Sequence, residues 1–211
     1  MKGVMSGNML ILGGTQFIGR VFCQRALNCG NFRLTLLNRG QTNPQLFESV
    51  ERLRCDRDDP EACAAALQAR HFDYVVDFSG WQHAHIENIV NHCTFDHYTF
   101  LSSSAVELAW PEDEFFSMAQ HKLWCEHLIQ GASESVLIVR PGFVVGQYDE
   151  TNRFEQRGPH WVWRGTNDAV RPLINVEFLA NVLLQLICRK HHGIVRAGYS
   201  RPRVSQLGLS N

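Results

Sequence analysis

The sequence has almost no net charge, no closely paired cysteines and no long apolar run. Its 211 residues include 20 Lys and Arg and 21 Asp and Glu, which gives a formal net charge of −1. Proteins that bind nucleic acid or anionic membranes are usually basic. The longest apolar stretch toward the C-terminus, residues 178–188, is interrupted by Asn181 and Gln185. It falls short of the roughly 20 residues that a membrane span needs. We therefore expect neither nucleic acid nor a membrane as a partner.

The seven cysteines are scattered along the chain, and none is spaced as CxxC. The apolar run near the N-terminus is too short for the hydrophobic region of a signal peptide. These features predict free thiols and a cytoplasmic protein. Histidines and cysteines form no three-ligand set with firm metal spacing, so no metal site is predicted. The GxSxG, HExxH and Walker motifs are also absent.

Apolar runs of strand length alternate with segments of helical period along the chain. Strands are predicted within residues 9–12, 34–37, 74–78, 98–101 and 135–139, and helices within 17–27, 61–69, 85–92, 119–129 and 176–187. This order predicts an α/β protein with a Rossmann-type, doubly wound parallel sheet. No repeat or linker divides the chain, so residues 1–211 are predicted to form a single domain.

A glycine-rich segment joins the first predicted strand to the first predicted helix. At such a junction the pyrophosphate of a dinucleotide meets the free N–H groups of the helix N-terminus. Gly13 and Gly14 permit a tight turn and close backbone approach, and Gly19 permits close packing of the helix on the strand. The residues predicted to form this cofactor loop are Gly13, Gly14, Thr15, Gln16, Phe17, Ile18 and Gly19.

The second predicted strand is followed by Asn38 and Arg39 rather than by an acidic residue. In an NAD site, an acidic residue about twenty positions beyond the glycine loop binds the ribose 2′-hydroxyl. A guanidinium there can instead hold the 2′-phosphate of NADP. The sequence therefore favours NADP as the cofactor, with NAD as the alternative.

Six short segments follow one another along the chain: GGTQFIGR, LLNRG, CDRDD, VVDFSG, FLSSSAV and VRPGFVVGQYD. In this order they resemble the extended and atypical short-chain dehydrogenase/reductases. The nearest resemblance is to NAD(P)-dependent epimerase/dehydratase-like proteins with a GGTxFIG loop. It runs from about residue 8 to residue 188.

The resemblance implies further cofactor contacts. Asp56 would contact the adenine, Phe78-Ser79-Gly80 would line the ribose, and the backbone of Pro141-Gly142-Phe143 would lie against the nicotinamide. Gln16 stands where many members have glycine. Its side chain must therefore point away from the pyrophosphate or hydrogen-bond to it.

The family's catalytic pair is YxxxK, in which a tyrosine exchanges a proton with the substrate and a lysine lowers the tyrosine pKa. Lys122 matches the lysine and would also hold the nicotinamide ribose, but Met118 occupies the tyrosine position. Ser103 best matches the hydroxyl that orients the substrate oxygen, and its neighbours Ser102 and Ser104 leave the register open. The predicted catalytic residues are therefore Ser103 and Lys122.

A thioether cannot exchange a proton, and general acid–base catalysis contributes about 10²–10⁴ in rate. His121, Glu107 and Tyr148 are candidate replacements for the tyrosine. The region expected to form the substrate lobe, residues 147–171, is short and rich in Arg, His and Trp. Its Trp161-Val162-Trp163 run could be a strand with both indoles on one face, serving as a lid, an interface or a pocket wall.

Three functions remain open on the sequence. The first is an NAD(P)-binding oxidoreductase or epimerase with a non-standard active site, acting on a small substrate that bears a hydroxyl or carbonyl group. The second is a catalytically inactive dinucleotide sensor or regulatory protein. The third, disfavoured by the balanced charge, is an RNA-associated member of the superfamily. A homodimer is expected by analogy with the superfamily.

Overall fold

The structure is a computed structural model that describes residues 7–107, 114–158, 160–164 and 172–198, without the side chains of residues 114–116. Of the predicted substrate lobe, residues 159 and 165–171 lie outside the described residues. No helix in the described ranges is long and apolar enough to cross a bilayer.

A seven-stranded parallel sheet forms the centre of the fold. The strands of the chain are β1 (Gly7–Leu12), β2 (Phe32–Asn38), β3 (Glu51–Arg54), β4 (His71–Asp77), β5 (Thr94–Leu101), β6 (Val136–Pro141), β7 (Phe143–Val145), β8 (Phe154–Arg157), β9 (His160–Trp163), β10 (Leu173–Asn175) and β11 (Gly193–Ala197). The central sheet has the order β11-β6-β5-β4-β1-β2-β3, and β7–β10 form a parallel pair and a hairpin outside it. The predicted doubly wound sheet is confirmed.

Helices cover both faces of this sheet. They are α1 (Phe17–Cys29), α2 (Pro60–Leu67), α3 (His83–Val90), α4 (Glu114–Ala132) and α5 (Val176–Cys188). α1 and α5 pack together on one apolar cluster, whereas α2, α3 and α4 contribute to a second cluster on the opposite face. In β1, Met9 and Ile11 belong to the first cluster, and Leu10 and Leu12 to the second. A strand buried on both faces must be apolar throughout, which explains the continuous run in the sequence.

Two strands at the edges of the sheet escaped the sequence prediction. β3 and β11 are largely exposed, and charged residues interrupt their apolar character. An edge strand has only one hydrogen-bonded neighbour and needs less apolar surface, so its periodic signal is weak. The helix predicted at 85–92 begins two residues earlier, at His83, and ends at Val90.

The chain reverses its winding direction at β1, which has β2 on one side and β4 on the other. Leu12 and Asp77 lie side by side at the carboxyl ends of β1 and β4. In open α/β sheets, ligands bind in the crevice at such a switch point. The fold therefore places the expected ligand site at the loops that follow these two strands.

Candidate dinucleotide-binding site

The glycine loop closes tightly over the end of β1. Gly13 has a φ of 78°, which favours glycine. A Cβ added at Gly19 would lie 2.1 Å from the carbonyl oxygen of Gly13, so α1 can approach the loop this closely only with glycine at that position. Gln16 precedes the helix, makes no side-chain capping hydrogen bond and is exposed, and the first turn of α1 has no acidic residue. The N-terminus of α1 therefore carries no competing negative charge from its own first turn.

Beside this loop lies a cavity of about 220 Å³ that we call the charged cavity. Its lining residues are Gly13, Thr15, Gln16, Leu37, Asn38, Arg39, Gly40, Gln41, Thr42, Cys55, Asp56, Arg57, Asp58, Ser79 and His85. The Arg39 guanidinium is more than half exposed, and its Nη1 lies 4.0 Å from Oδ2 of Asp56. The structure thus brings the glycine loop, the end of β2 and the CDRDD segment around one space.

A second cavity of about 330 Å³ adjoins the first, because Ser79 lines both. We call it the aromatic cavity; it is lined by Phe17, Ile18, Phe78, Ser79, Gly80, Trp81, Leu101, Ser102, Ser103, Ser104, Ala105, Met118, Lys122, Pro141, Gly142, Phe143, Val144 and Arg153. Two predicted contacts, Gly14 and Gly19, line neither cavity. A Cβ at Gly14 would meet Cys23 and Leu36, so this glycine serves the packing beneath the loop.

Asp77, which sequence reasoning missed, holds the junction between the two cavities. Its carboxylate is fully buried and accepts hydrogen bonds from Arg57 at 2.7 and 3.0 Å and from the hydroxyl of Tyr98 at 3.0 Å. It also accepts the backbone N–H groups of Ser79 and Gly80 at 2.9 and 2.8 Å. Burial alone would raise the pKa of Asp77, but the Arg57 charge and these hydrogen bonds lower it overall. The sequence signal that could have identified Asp77 is its position as a charged residue at the end of an apolar strand.

Lys122 connects the same junction to the floor of the aromatic cavity. Its buried ammonium donates hydrogen bonds to the carbonyl oxygens of Gly80 at 2.8 Å and Leu101 at 2.9 Å. Burial lowers the pKa of Lys122 to about 8, although the nearby Asp77 charge opposes the shift. Met118, one helical turn earlier, lines the same cavity.

Lys122 makes the stability of the protein depend on pH. The folded protein releases this proton near pH 8, whereas an unfolded lysine releases it near pH ~10.4. Between these values the unfolded chain binds more protons, so the contribution of Lys122 to the free energy of unfolding rises with pH, by about 2–3 kcal/mol in total. Urea unfolding of the wild type and Lys122→Met at pH about 7 and about 10.5 should show the wild type gaining this amount relative to the variant.

Lys190→Met is the matched control for this measurement, because Lys190 is exposed. The difference in the free energy of unfolding between Lys190→Met and the wild type should stay constant over the same pH range. A constant difference for Lys122→Met would contradict the effect of burial on this lysine.

The three serines of residues 102–104 differ in environment. Ser102 and Ser104 are buried, and the Ser102 hydroxyl donates to the carboxylate of Glu126. Ser103 is half-buried, lines the aromatic cavity and accepts the N–H of Ala105 at 3.1 Å. Of the three hydroxyls, that of Ser103 is the least buried.

The candidate replacements for the tyrosine do not line either cavity among the described residues. Glu107 forms ion pairs with Arg140 and Arg196, and the hydrogen bond from Arg196 lowers the pKa of Glu107. Tyr148 stacks against the Arg20 guanidinium, 3.6 Å from ring centroid to guanidinium carbon. His121 faces Trp81, with 6.0 Å between ring centroids. None of the three lines either cavity in the part of the chain that the structure describes.

The Trp161–Trp163 run forms β9, so the predicted strand is present. Trp163 packs on Phe154 and Phe143, with centroid distances of 5.1 and 5.8 Å. Phe143 lines the aromatic cavity, but neither tryptophan does so among the described residues. The hairpin therefore supports the cavity wall from behind.

A separate cluster of ligand-type side chains lies at the amino ends of β4 and β5. His71, Asp73 and Asp96 each bring one ligand atom within 4.8 Å of the others. His71 and Asp96 form an exposed pair at 3.5 Å, and Asp73 accepts the backbone N–H of Asn8 at 2.6 Å. The ion pair and the hydrogen bond explain why these side chains lie close together. The cluster lies at the opposite end of the strands from the two cavities.

Comparison with known proteins agrees with this geometry. Residues 9–105, which supply the glycine loop and the CDRDD and VVDFSG segments, match the NAD dependent epimerase/dehydratase family. This match confirms the resemblance to NAD-dependent epimerase/dehydratase proteins over those residues. No protein of curated function matches the sequence.

Several solved structures share the fold. UDP-glucose 4-epimerase of Thermus thermophilus, solved in complex with NAD, matches with a TM-score of 0.69 at 17% identity over 90% of this chain and 77% of its own. A wide-type short-chain dehydrogenase/reductase of Veillonella parvula, in complex with NADP, matches with a TM-score of 0.66 at 15% identity over 93% and 95%. Vestitone reductase from alfalfa matches with a TM-score of 0.65 at 14% identity over 92% and 77%.

Proposed function

We propose that this protein binds NADP and acts as an oxidoreductase or epimerase on a small substrate that bears a hydroxyl or carbonyl group. The observation that carries the proposal is the pair of adjoining cavities at the carboxyl ends of β1 and β4. Most of the residues predicted from the sequence to touch the cofactor line one or the other. The homodimer and the cytoplasmic location remain predictions.

The residues fit an extended dinucleotide. In this proposal the charged cavity holds the adenosine half, with Asp56 near the base and Arg39 at the 2′-phosphate. The N-terminus of α1 faces the pyrophosphate, and the aromatic cavity receives the nicotinamide half between Ser79 and Phe143. Asn38 replaces the acidic residue that an NAD site places after β2, which favours NADP over NAD.

Bound NADP would supply hydride transfer. A side chain of the protein must then exchange a proton with the substrate oxygen. Apart from Arg153, Lys122 is the only described residue lining the aromatic cavity with an ionisable side chain. Arginine does not deprotonate in proteins, whereas the pKa of Lys122 is about 8. Two of its three N–H donors bind carbonyl oxygens, which leaves one for a substrate oxygen. In our proposal Lys122 takes over the proton exchange, and Ser103 orients the oxygen.

Met118 supports a second candidate function, a dinucleotide sensor without turnover. This thioether lines the cavity where the family has its tyrosine. The sensor and the enzyme both require cofactor binding, so they differ only in turnover. A reductase consumes bound NADPH when its carbonyl substrate is added, whereas an epimerase regenerates its cofactor and is detected by conversion of its substrate into the epimer.

Calorimetric titration with NADPH and NADH tests the proposal. We expect Arg39→Ala to weaken NADPH binding about ten- to hundredfold, because a charge-assisted hydrogen bond to phosphate contributes about 1.5–3 kcal/mol. NADH binding should be nearly unchanged. Arg33→Ala, exposed in the first half of β2, serves as the control and should leave both affinities as they are.

The outcomes of the titration distinguish the proposed function from its alternatives. If neither dinucleotide binds at millimolar concentration, the proposed function is wrong. If both bind and Arg39→Ala weakens them equally, the preference for NADP is wrong. If NADPH binds but no carbonyl compound causes its consumption and no hydroxyl compound is epimerised, the sensor is favoured.

A further inference from the structure

The wall of the aromatic cavity is rich in apolar side chains and has no acidic side chain among the described residues. Its wall includes the side chains of Phe17, Phe78, Trp81, Met118 and Phe143. No carboxylate lines it among the described residues, whereas the charged cavity contains both Asp56 and Asp58. Such a wall suits an apolar body and offers no carboxylate to pair with a cationic ligand.

Arg153 adds a positive charge to this wall. Its Nε donates to the hydroxyl of Thr151 at 3.1 Å, and that hydroxyl in turn donates to Asp149 at 2.6 Å. The guanidinium carbon lies 5.7 Å from the ring centroid of Phe143. No carboxylate in the described ranges lies within 4.0 Å of the Arg153 guanidinium. The two Nη groups are therefore available to an anion.

The position of Arg153 is set by packing. Its carbonyl oxygen accepts the backbone N–H of Arg164 at 3.0 Å, which continues the β8–β9 hairpin by one pair. The next residue, Phe154, packs edge-on against Phe143 and Trp163 at 5.6 and 5.1 Å. This triad joins the hairpin to β7 and thereby holds Arg153 beside the cavity.

We propose that the aromatic cavity binds a small carboxylate with an apolar, aryl-bearing body, and that Arg153 is the residue that selects its negative charge. The inference rests on the proposed function, because it names the substrate class of the same site. A cavity of about 330 Å³ is at the lower end of the range for ligand sites, and the nicotinamide half would occupy part of it. The remaining space suits one ring with a short acidic side chain, such as an aryl 2-oxo acid. A nucleoside diphosphate sugar does not suit it.

Phenylpyruvate and phenylacetone provide a matched pair of probes, because they differ in the carboxylate alone among their polar groups. Titrating each into the protein saturated with NADP⁺ measures binding without turnover, since ketone and cofactor are both oxidised. We expect phenylpyruvate to bind about ten- to hundredfold more tightly than phenylacetone, as a charged hydrogen-bonded pair implies. Arg153→Gln should remove this preference by weakening phenylpyruvate alone.

Arg157→Gln is the control variant. Arg157 lies on the same hairpin, is exposed and pairs with Glu155 at 3.1 Å. It should retain the full preference, and Arg153→Lys, which keeps the charge, should retain part of it. Equal affinity for the two probes in the wild type would overturn the proposal, as would an unchanged preference in Arg153→Gln or tighter binding of UDP-glucose than of phenylpyruvate. Failure of NADP⁺ itself to bind is measured separately and would count against the proposed function.

Discussion

Asp77→Ala should lower the free energy of unfolding by about 3–5 kcal/mol, because it leaves the buried Arg57 guanidinium without its counter-charge. Arg57 and Asp77 are both buried, at 8% and 0% exposure. The variant also removes the acceptor for the N–H groups of Ser79 and Gly80. The loop between the two cavities should therefore lose its fixed position, and NADPH binding should weaken along with stability.

Urea unfolding at neutral pH measures the effect, with Asp96→Ala as the control. Asp96 pairs with His71 at 3.5 Å on the surface, and exposed pairs contribute only about 0–1 kcal/mol. Asp77→Asn should lie between the two, because its amide oxygen can still accept the loop N–H groups. A loss for Asp77→Ala no larger than that for Asp96→Ala would contradict the structural role of the buried pair.

Gly19→Ala should destabilise the protein and reduce dinucleotide binding severely, although alanine is the better helix former. The new Cβ would lie 2.1 Å from the Gly13 carbonyl oxygen, so either the loop or α1 must move. Overpacking of this kind costs about 1–3 kcal/mol, and sometimes more. Because the movement occurs where the pyrophosphate is proposed to bind, we expect NADPH affinity to fall by at least about tenfold, the equivalent of ~1.4 kcal/mol.

Gly131→Ala makes the same chemical change in α4, where no heavy atom lies within 4 Å of the added Cβ. It should raise stability by up to about 1 kcal/mol, through helix propensity alone, and leave NADPH binding unchanged. Thermal unfolding and calorimetry of both variants test the pair. If Gly19→Ala also stabilised the protein, the close approach of α1 to the loop would be wrong.

The sequence alone predicted the doubly wound sheet and the glycine-rich turn after its first strand, because both depend on local patterns. The apolar run of residues 9–12 indicates a strand buried on both faces. GGTQFIG indicates a strand-to-helix turn, because its glycines remove side chains at consecutive close approaches. Pro60 at the first position of α2, with the carboxylate of Asp59 accepting the N–H of Ala62 at 3.0 Å, follows the usual rules for a helix start.

The tertiary structure decided which charged side chains lose water and which partners compensate them. The pairing of Arg57 with Asp77 spans 20 positions, and that of Glu107 with Arg196 spans 89. No local period records such contacts. The burial of Lys122 and the placement of Arg153 beside the aromatic cavity likewise depend on packing between distant elements. Desolvation and ion pairing arise only when the chain is folded, so they determine the chemistry of this site beyond what its motifs specify.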